Sequence, residues 1–355
     1  MRRTTAVTSV VTLGLALAGA VTVNAAAQAD AVPLAEGFDF DAPSVVAQGL
    51  EVPWGLTWLP NGDALVAERM TARLLRLPAA GGTPVVAGVV PGVSPVGEAG
   101  LLGLAVSPDE WVYAYLTSAS DNRIVRFRLN ATGTPETILT GIPRGSIHAG
   151  GRIAFGPDGK LYAGTGDAGN TANAQNPASL GGKILRLNPD GSVPADNPTP
   201  GSPVYTLGHR NVQGLAWDAT GRLYASEFGQ NTWDEVNLIR PGANYGWPTV
   251  EGIGGDARFT DPLVVWSTAE ASPSGAAIAG STLYVAALRG ARLWTVPLTG
   301  SGGVGTPVAE LQSQFGRLRT VAVAPDGSLW TATSNRDGRG SPIPADDRIL
   351  RFPPA

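Results

Sequence analysis

The sequence predicts an all-β fold, a six-bladed β-propeller whose four-stranded antiparallel blades surround a central channel. Three observations support this prediction. A strand–turn–strand phrase occurs six times, its successive turns lie 45 to 62 residues apart, and no stretch beyond the N-terminal segment has sustained helical periodicity. Repeats of about 40–50 residues with several strands each are typical of propeller blades. A two-sheet sandwich is the alternative, but it does not explain six similar copies.

The repeated phrase is a short apolar strand, a turn, and a second apolar strand. Pro presets φ for the turn, Asp or Asn bonds to the local backbone, and Gly accepts positive φ, so these residues favour hairpins. The copies are followed by strands in which apolar residues alternate with Arg, as in residues 73–77 and 123–127, which is the period-two signal of a half-buried strand. The six turns centre on Pro60, Pro108, Pro157, Ala219, Gly280 and Pro325.

The composition excludes several classes of protein. The chain has 355 residues with 47 Gly and 29 Pro, too many for a helical bundle, because both residues destabilise helix interiors. It has no Cys, which excludes disulfides, thiolate metal sites and cysteine nucleophiles. Acidic residues outnumber basic ones by 29 to 25 and no basic run occurs, so no nucleic-acid partner is expected.

Residues 1–29 have the features of a secretory signal peptide. Arg2 and Arg3 precede an apolar stretch, and Ala27-Gln28-Ala29 forms a small-x-small cleavage site. The apolar stretch is short for a bilayer, so we expect an exported protein, periplasmic or extracellular, with no stable membrane span. Retention of the segment as an anchor is the alternative. Residues 30–355 are expected to form one propeller domain, since a ring cannot be split without exposing blade faces. A monomer is also expected.

The two histidines of the chain occupy equivalent places in the repeat. His148 precedes the first strand of the third copy, and His209 precedes that of the fourth, each in a Gly-containing loop. The loop that enters the innermost strand of a blade opens on the channel, so both side chains are expected near one pocket. A structural turn role is the alternative for each, but two His at equivalent positions favour a function for at least one.

Three arginines are expected at the same end of the channel. Arg317 and Arg319 precede the innermost strand of the sixth copy and lie two residues apart, so they point to the same side of an extended chain. Arg210 directly follows His209. Several guanidiniums in one pocket repel one another unless an anion neutralises them, so this pattern predicts a polyanionic ligand. A solvated strand edge is the alternative.

An acidic, Gly- and Asn-containing segment follows the fourth copy. It includes Asp234-Glu235 and continues to Pro248. Calcium takes carboxylate and carbonyl oxygens, so this segment suits a calcium site, although it lacks the spacing of an EF-hand.

These motifs together resemble the soluble quinoprotein glucose/sorbosone dehydrogenase family, whose members are often called aldose sugar dehydrogenases. The resemblance covers nearly the whole chain after the N-terminal segment, and it depends on the order of the motifs along the six copies. The motifs are residues 97–104 (GEAGLLGL), the His148 loop, residues 208–211 (GHRN), 234–237 (DEVN), 244–248 (NYGWP) and 316–319 (GRLR).

The resemblance implies a propeller that binds pyrroloquinoline quinone (PQQ), a tricarboxylate, together with calcium. It implies oxidation of aldose sugars at C1 to lactones, with hydride passing to the quinone and electrons to an external acceptor such as a quinone, a cytochrome or a dye. His148 matches the general base and Arg210 the group that polarises the quinone oxygen. The other matches are Asn211, Arg289, Arg317 and Arg319 on the cofactor, Gly229 and Gln230 on its calcium, Glu235 and Tyr245 on a second calcium, and Glu98 on the substrate.

Three positions depart from the glucose-oxidising branch of that family. Ile147 stands where that branch has an Asp before the base, Arg289 where it has a Lys, and Gln230 where it has a Pro. The departures favour a broad range of aldoses over strict glucose specificity. Two other functions stay open: a calcium-dependent lactonase or related hydrolase with acids around a central metal, and a sugar-binding propeller without turnover.

Overall fold

The repeats fold into six antiparallel sheets arranged in a closed ring. The structure is a computed structural model that describes residues 1 and 37–355, so the predicted signal peptide and its boundary at residue 30 lie outside the described residues. Each of the six sheets has four strands, which confirms the predicted six-bladed propeller. Within the described residues, helix is limited to α1 (Ala172–Gln175) and a 3-10 turn at Leu129–Ala131.

The strands follow the repeat in chain order. Blade 1 contains β2 (Pro53–Trp58), β3 (Ala64–Glu68), β4 (Arg73–Leu77) and β5 (Val85–Val89). Blade 2 contains β6 (Leu101–Val106), β7 (Val112–Thr117), β8 (Asn122–Phe127) and β9 (Glu136–Ile142). Blade 3 contains β10 (Gly150–Phe155), β11 (Leu161–Thr165), β12 (Lys183–Leu187) and β13 (Val204–Leu207). Blade 4 contains β14 (Val212–Trp217), β15 (Leu223–Glu227), β16 (Trp233–Ile239) and β17 (Val264–Ser267). Blade 5 contains β18 (Pro273–Ala279), β19 (Thr282–Ala287), β20 (Arg292–Pro297) and β21 (Val308–Glu310). Blade 6 contains β22 (Leu318–Val323), β23 (Leu329–Thr333) and β24 (Ile349–Phe352), with β1 (Ser44–Ala47) beside β24.

The ring is closed by a strand from the other end of the chain. Strand β1 pairs antiparallel with β24, with Ser44 opposite Arg351 and Val45 opposite Leu350, so it forms the fourth strand of blade 6. The six first strands of the blades contact their neighbours around the channel, including β2 against β22 across the closure. Both ends of the propeller domain are thereby tied into one sheet.

The repeat turns have the backbone conformation that their residues predict. Each predicted turn lies between the first and second strand of a blade. In four of these turns the glycine has a φ between 70° and 86°, a region that favours Gly: Gly62, Gly159, Gly221 and Gly327. The glycine-rich composition therefore serves the hairpins of the blades.

The hydrophobic core lies between the blades. Five of six clusters of buried apolar side chains combine residues of two adjacent blades, and the sixth, between blades 2 and 3, also includes Trp54 of blade 1. Leu74 packs with Leu104 between blades 1 and 2, and Leu56 packs with Ile349 between blades 1 and 6. Each such Leu or Ile contributes about 1.5–3 kcal/mol through burial. Every blade thus depends on both neighbours, as expected for a ring.

A buried lysine anchors the long connection between β11 and β12. The Nζ atom of Lys183 donates to the carbonyls of Asn173, Ala174 and Gly181 at 2.6, 2.9 and 2.8 Å. The residue is fully buried, and burial lowers its pKa to about 8. Asn173 in turn donates through its side-chain amide to the carbonyl of Asp167 at 2.9 Å, so this anchor supports the end of β11.

Lys183→Met is expected to lower the free energy of unfolding by about 2–4 kcal/mol, because three buried carbonyls lose their donor. Lys160→Met is the matched control, since Lys160 is the only other lysine and, among the described residues, its Nζ bonds to one group, the side chain of Asn188 at 2.6 Å. A loss below about 1 kcal/mol is expected there. Urea unfolding compares the two variants, and equal losses would contradict an anchoring role for Lys183.

Among the residues that the structure describes, none of the helices has the length and hydrophobicity needed to cross a membrane.

Candidate active site

The predicted site residues meet at one end of the channel. Antiparallel pairing places the start of the first strand of a blade beside the end of its second strand. Two sets of loops therefore surround the same opening. Residues before the first strands include Glu98, His148, Arg210, Ser272 and Arg317, and residues after the second strands include Arg69, Asp167, Phe228, Arg289 and Asp337.

Two adjoining cavities occupy this opening. The larger, of ≈ 590 Å³, is lined by Arg69, Arg289, Arg317, Arg319 and Arg339, and we call it the arginine cavity. The smaller, of ≈ 300 Å³, is lined by His148, Arg210, Gly229 and Gln230, and we call it the histidine cavity. Both cavities contact Glu98, Ile147, Phe228, Ser272, Arg289 and Arg339, so together they form one continuous site.

A buried arginine lies in the channel beneath this site. The Nε atom of Arg152 on β10 donates to the carbonyl of Gln213 at 2.7 Å, and its guanidinium lies 4.2 Å from the ring of Trp54. A further bond to Thr320 Oγ1, at 3.2 Å, brings a fourth blade into the group. A separate cavity of ≈ 300 Å³ lies beside Arg152, towards the C-terminal ends of the first strands.

His148 forms a close pair with Asp167. Its Nδ1 atom lies 2.7 Å from Asp167 Oδ1, and the carboxylate is fully buried. Burial by itself raises the pKa of Asp167, but the hydrogen bond and charge of His148, with further bonds from Gly169 and Trp247, hold that pKa below its ordinary value. Asp167 is therefore ionised at neutral pH and can only accept hydrogen bonds.

This pairing fixes which nitrogen of His148 can act as a base. Because Asp167 only accepts, Nδ1 must carry the proton that it donates. In the neutral ring Nε2 then carries the lone pair, and no described residue forms a hydrogen bond to it. His148 lines the histidine cavity with its side chain 14 % exposed. The geometry thus presents a basic nitrogen to whatever occupies that cavity.

The backbone of His148 is held in an unusual conformation. Its φ is 53°, in the left-handed region that only a few per cent of non-Gly residues adopt, His more often than most. Its amide donates to Glu98 Oε2 at 3.0 Å, and its carbonyl accepts from Ala168 at 3.2 Å. Gly166 passes so close that a Cβ there would overlap the carbonyl of His148. These contacts from two blades maintain the strained residue, as is common at functional sites.

His209 does not face the site, contrary to the expectation that both histidines lie on the pocket. It is fully buried, its Nδ1 lies 2.7 Å from Glu227 Oε2, and its Nε2 lies 2.9 Å from Thr206 Oγ1. Its ring also stacks on Tyr245 with centroids 4.6 Å apart. Both ring nitrogens of His209 have protein partners, so this residue has a structural role. A structural role was the alternative to a function in the pocket.

Arg317 and Arg319 converge as predicted, and a carboxylate lies between them. Asp337 Oδ2 accepts from Arg317 Nη2 at 2.9 Å and from Arg319 Nη2 at 3.3 Å. Arg319 also donates to Ser334 Oγ at 3.1 Å and to Gln213 Oε1 at 3.2 Å. Burial, followed by the charge of Arg69, lowers the pKa of Arg319 to about 9. One carboxylate thus serves two guanidiniums, which leaves positive charge in the arginine cavity.

Arg210 and Asn211 carry buried donors without partners. Arg210 lies with its guanidinium 5.5 Å from the ring of Trp247 and donates through Nη1 to the carbonyl of Phe228 at 3.2 Å. Its Nε atom, and Nδ2 of the fully buried Asn211, have no hydrogen-bond partner within residues 37–355. The Oδ1 atom of Asn211 accepts from the amide of Gly150 at 3.0 Å, which turns its unpaired Nδ2 the other way.

Glu98 and Arg289 both line the site, but they differ in exposure and in the partners of their side chains. Arg289 is exposed and lines both cavities. Glu98 also lines both, but each of its oxygens already has a partner: Oε2 accepts from the amide of His148, and Oε1 pairs with Arg339 at 2.8 Å. Each carboxylate oxygen has two lone pairs, so Glu98 can still accept from a substrate hydroxyl.

The loop that contains Gly229 and Gln230 is ordered by Glu251. One carboxylate oxygen of Glu251 accepts from the four amides of residues 230–233 at 2.6–3.2 Å. Burial raises the pKa of Glu251, but these amides hold it below its ordinary value. The carbonyls of Gly229 and Gln230 accept no hydrogen bond from the described residues, and both residues line the histidine cavity. These oxygens are available to a ligand.

Glu235 and Tyr245 line a small void with Glu227 and Glu251. Its volume of ≈ 10 Å³ suits one water-sized occupant. Burial and the charge of Glu227 raise the pKa of Glu235 to about 8. The Tyr245 hydroxyl donates to the carbonyl of Leu238 at 2.7 Å and accepts from the amide of Arg240 at 2.9 Å. No three His, Asp or Glu side chains in the described part of the chain are grouped to hold a metal by themselves.

A six-bladed propeller with an Asp–His pair beside an arginine-lined cavity is an enzyme scaffold that combines proton transfer with anion binding. The chain belongs to the glucose/sorbosone dehydrogenase family, whose sequence profile matches residues 50–349. This confirms the resemblance that the motifs predict.

Relatives and solved structures agree with that membership. An aldose sugar dehydrogenase from Streptomyces coelicolor, solved in its PQQ-bound form, is 56% identical, with a TM-score of 0.84 over 88% of this chain and 98% of that one. The soluble aldose sugar dehydrogenase of Escherichia coli, solved in its apo form, is 25% identical, with a TM-score of 0.76 over 88% and 99%. Quinoprotein glucose dehydrogenase B of Acinetobacter calcoaceticus is 36% identical over 63% of this chain and 55% of its own length.

Proposed function

We propose that the protein is a PQQ- and calcium-dependent dehydrogenase that oxidises aldose sugars at C1 to lactones. The observation that carries this proposal is the placement of a basic nitrogen of His148 beside a cavity that holds an excess of guanidinium groups. A sugar hydroxyl and an anionic, planar cofactor are the two ligands that such a pair of cavities suits. The proposal agrees with the names of the Streptomyces and Escherichia coli relatives.

The residues present fit PQQ. Its carboxylates require fixed cations, and Arg289, Arg317 and Arg319 line the arginine cavity. Its ring oxygens and nitrogen require donors, and Arg210 and Asn211 supply buried nitrogen atoms that have no hydrogen-bond partner among the described residues. A buried donor without a partner is costly, so its presence favours a ligand that accepts a hydrogen bond there.

The residues also fit calcium at the two predicted positions. Gly229 and Gln230 offer carbonyl oxygens in the histidine cavity, and calcium accepts carbonyl oxygen as readily as carboxylate. Glu235 and Tyr245 border the small void, where Glu227 adds a second buried carboxylate. A divalent cation would relieve the repulsion between these two acids.

The chain supplies the proton chemistry of the reaction. His148 takes the proton of the C1 hydroxyl at Nε2, and the ionised Asp167 stabilises the imidazolium that results. Glu98 accepts from a sugar hydroxyl, and Ile147 offers an apolar surface beside it. PQQ, when bound, would supply the acceptor for the hydride from C1, with an external quinone, cytochrome or dye as the final acceptor of the electrons.

The experiment is dye reduction by residues 30–355 with several aldoses, with PQQ and calcium supplied together and then omitted one at a time. Sugar-dependent reduction is expected only when both are present. Treatment with a calcium chelator before assay is expected to abolish the activity, and added calcium to restore it. Absence of reduction with every aldose tested would overturn the proposal.

The two alternative functions are less consistent with the site. A calcium-dependent lactonase or related hydrolase requires carboxylates around a central metal, whereas guanidiniums outnumber carboxylates in the arginine cavity. A binding propeller without turnover does not require the buried Asp167–His148 pair. We also propose export to the periplasm or the exterior, because residues 1–29 have the features of a signal peptide. A monomeric state is part of the same proposal.

A further inference from the structure

Arg69 is a buried guanidinium without a partner on the wall of the arginine cavity. It directly follows β3 and is 4 % exposed. Its Nε is buried without a hydrogen bond, and no carboxylate in the described part of the chain forms an ion pair with it. The adjacent acid, Glu68, is committed to Arg73 Nε at 2.6 Å and to Thr71 Oγ1 at 2.7 Å.

The backbone holds Arg69 at this place. Its amide donates to the carbonyl of Val52 at 3.1 Å, and its carbonyl accepts from Leu101 at 3.0 Å. Gly100 makes room for it, because a Cβ there would overlap the carbonyl of Arg69 and lie 3.0 Å from its Cγ. A buried, unpaired charge opposes folding, so a chain that positions one so firmly requires a compensating ligand.

The charges around the arginine cavity show what that ligand must carry. Five guanidiniums and two carboxylates line it: Arg69, Arg289, Arg317, Arg319, Arg339, Glu98 and Asp337. Arg339 pairs with Glu98, and Arg317 and Arg319 share Asp337. Three positive charges remain without a negative partner in the cavity. PQQ, as a tricarboxylate, carries three negative charges.

We propose that Arg69 binds a carboxylate of PQQ and, with Arg317 and Arg319, forms the anion-binding set of the arginine cavity. The inference rests on the proposed function and adds a residue that the motif comparison does not assign. Burial lowers the pKa of Arg69, the charges of Asp337 and Glu98 oppose that change, and the pKa of Arg319 is lowered in part by Arg69. Arg69 and Arg319 are therefore close enough for their positive charges to interact.

The test is an equilibrium titration of PQQ into calcium-loaded protein without sugar, followed by quenching of tryptophan fluorescence. Arg69→Gln is expected to raise the dissociation constant of PQQ about 10–100-fold, the loss typical of a charge-assisted bond. Arg69→Lys keeps the charge without the planar fork and is expected to recover part of the affinity. Arg128→Gln is the matched control, because Arg128 is 41 % exposed on blade 2 and lines neither cavity; it should bind PQQ like the unaltered protein.

A second readout separates ligand binding from a structural role. Without PQQ, Arg69→Gln is expected to melt at the same temperature as the unaltered protein or higher, because an unpaired buried charge is removed. PQQ affinity in Arg69→Gln equal to that of the unaltered protein would overturn the inference and leave the proposed function standing. Failure of the unaltered protein to bind PQQ would overturn the proposed function itself, and this inference with it.

Discussion

Replacing His148 with Ala is expected to lower kcat for aldose oxidation by about 10²–10⁴-fold, the usual contribution of a general base. The Nε2 atom is the basic nitrogen that the Asp167 contact presents to the histidine cavity. The side chain makes no bond to Arg317, Arg319 or Asn211, so PQQ affinity should be largely retained. Steady-state dye reduction and a PQQ titration on the same preparation measure the two quantities.

Two controls distinguish a base from a merely structural residue. His148→Gln can still donate a hydrogen bond to Asp167 but cannot take a proton, so it should be as inactive as His148→Ala. Added imidazole should restore part of the activity of His148→Ala and none of that of His148→Gln, whose side chain fills the position. Unchanged turnover in His148→Ala would remove the proposed base.

Asp167→Asn is expected to lower kcat by about 10²–10³-fold, because the amide cannot stabilise the imidazolium that His148 becomes. The carboxylate accepts from three donors: His148 Nδ1 at 2.7 Å, Gly169 N at 2.8 Å and Trp247 Nε1 at 2.9 Å. An Asn would turn an NH2 group towards one of these donors and disturb the orientation of the imidazole. KM for the sugar should change much less than kcat, since Asp167 is buried away from the cavity surface.

Trp247→Phe is the graded control for that variant. It removes only the bond to Asp167 Oδ2, while an aromatic ring remains beside Arg210. Loss of one bond to an ionised carboxylate corresponds to about 1.5 kcal/mol at the low end of the usual range, so a fall in kcat of roughly tenfold is expected. Equal losses in Trp247→Phe and Asp167→Asn would show that the charge of Asp167 is not required.

The pH dependence of stability follows from the lowered pKa of Asp167. A carboxyl whose pKa is lower in the folded chain than its ordinary value of 3.8 stabilises the fold above that value. The stabilisation is lost as the pH falls through the folded-state pKa. The contribution of the Asp167 carboxylate to the difference in unfolding free energy between the unaltered protein and Asp167→Asn should therefore shrink below about pH 4.

The fold could be predicted from the sequence because its signal is repeated six times. Each copy has the same turn between two apolar segments, and these segments form the first and second strands of the blade. The closing strand β1 could not be found in this way, because it lies outside the repeat and its partner β24 is about 300 residues away. Only the ring geometry shows that blade 6 needs a strand from the other end.

Part of the candidate site can be predicted by the same reasoning. The positions of His148, Arg210 and Arg317 follow from the repeat, because these residues precede the innermost strands. Asp167 and Asp337, which orient them, follow the second strands of blades 3 and 6. Antiparallel pairing brings those two sets of positions together, so reading the ends of the second strands is the signal that would have located the partners.

The role of His209 could not be predicted from its position. It occupies the same place in the repeat as His148, yet it is buried against Glu227, Thr206 and Tyr245. The direction of a side chain depends on its neighbours across the blade, and those neighbours come from residues distant in the sequence.

The most direct test of the central claim compares a free aldose with its methyl glycoside. If His148 removes the proton of the C1 hydroxyl, a sugar in which that hydroxyl is blocked has no proton for the base to take. We expect the PQQ- and calcium-loaded protein to reduce dye with the free aldose and to show no reduction above background with the methyl glycoside at the same concentration. Equal rates with the two sugars would contradict oxidation at C1 and the role assigned to His148.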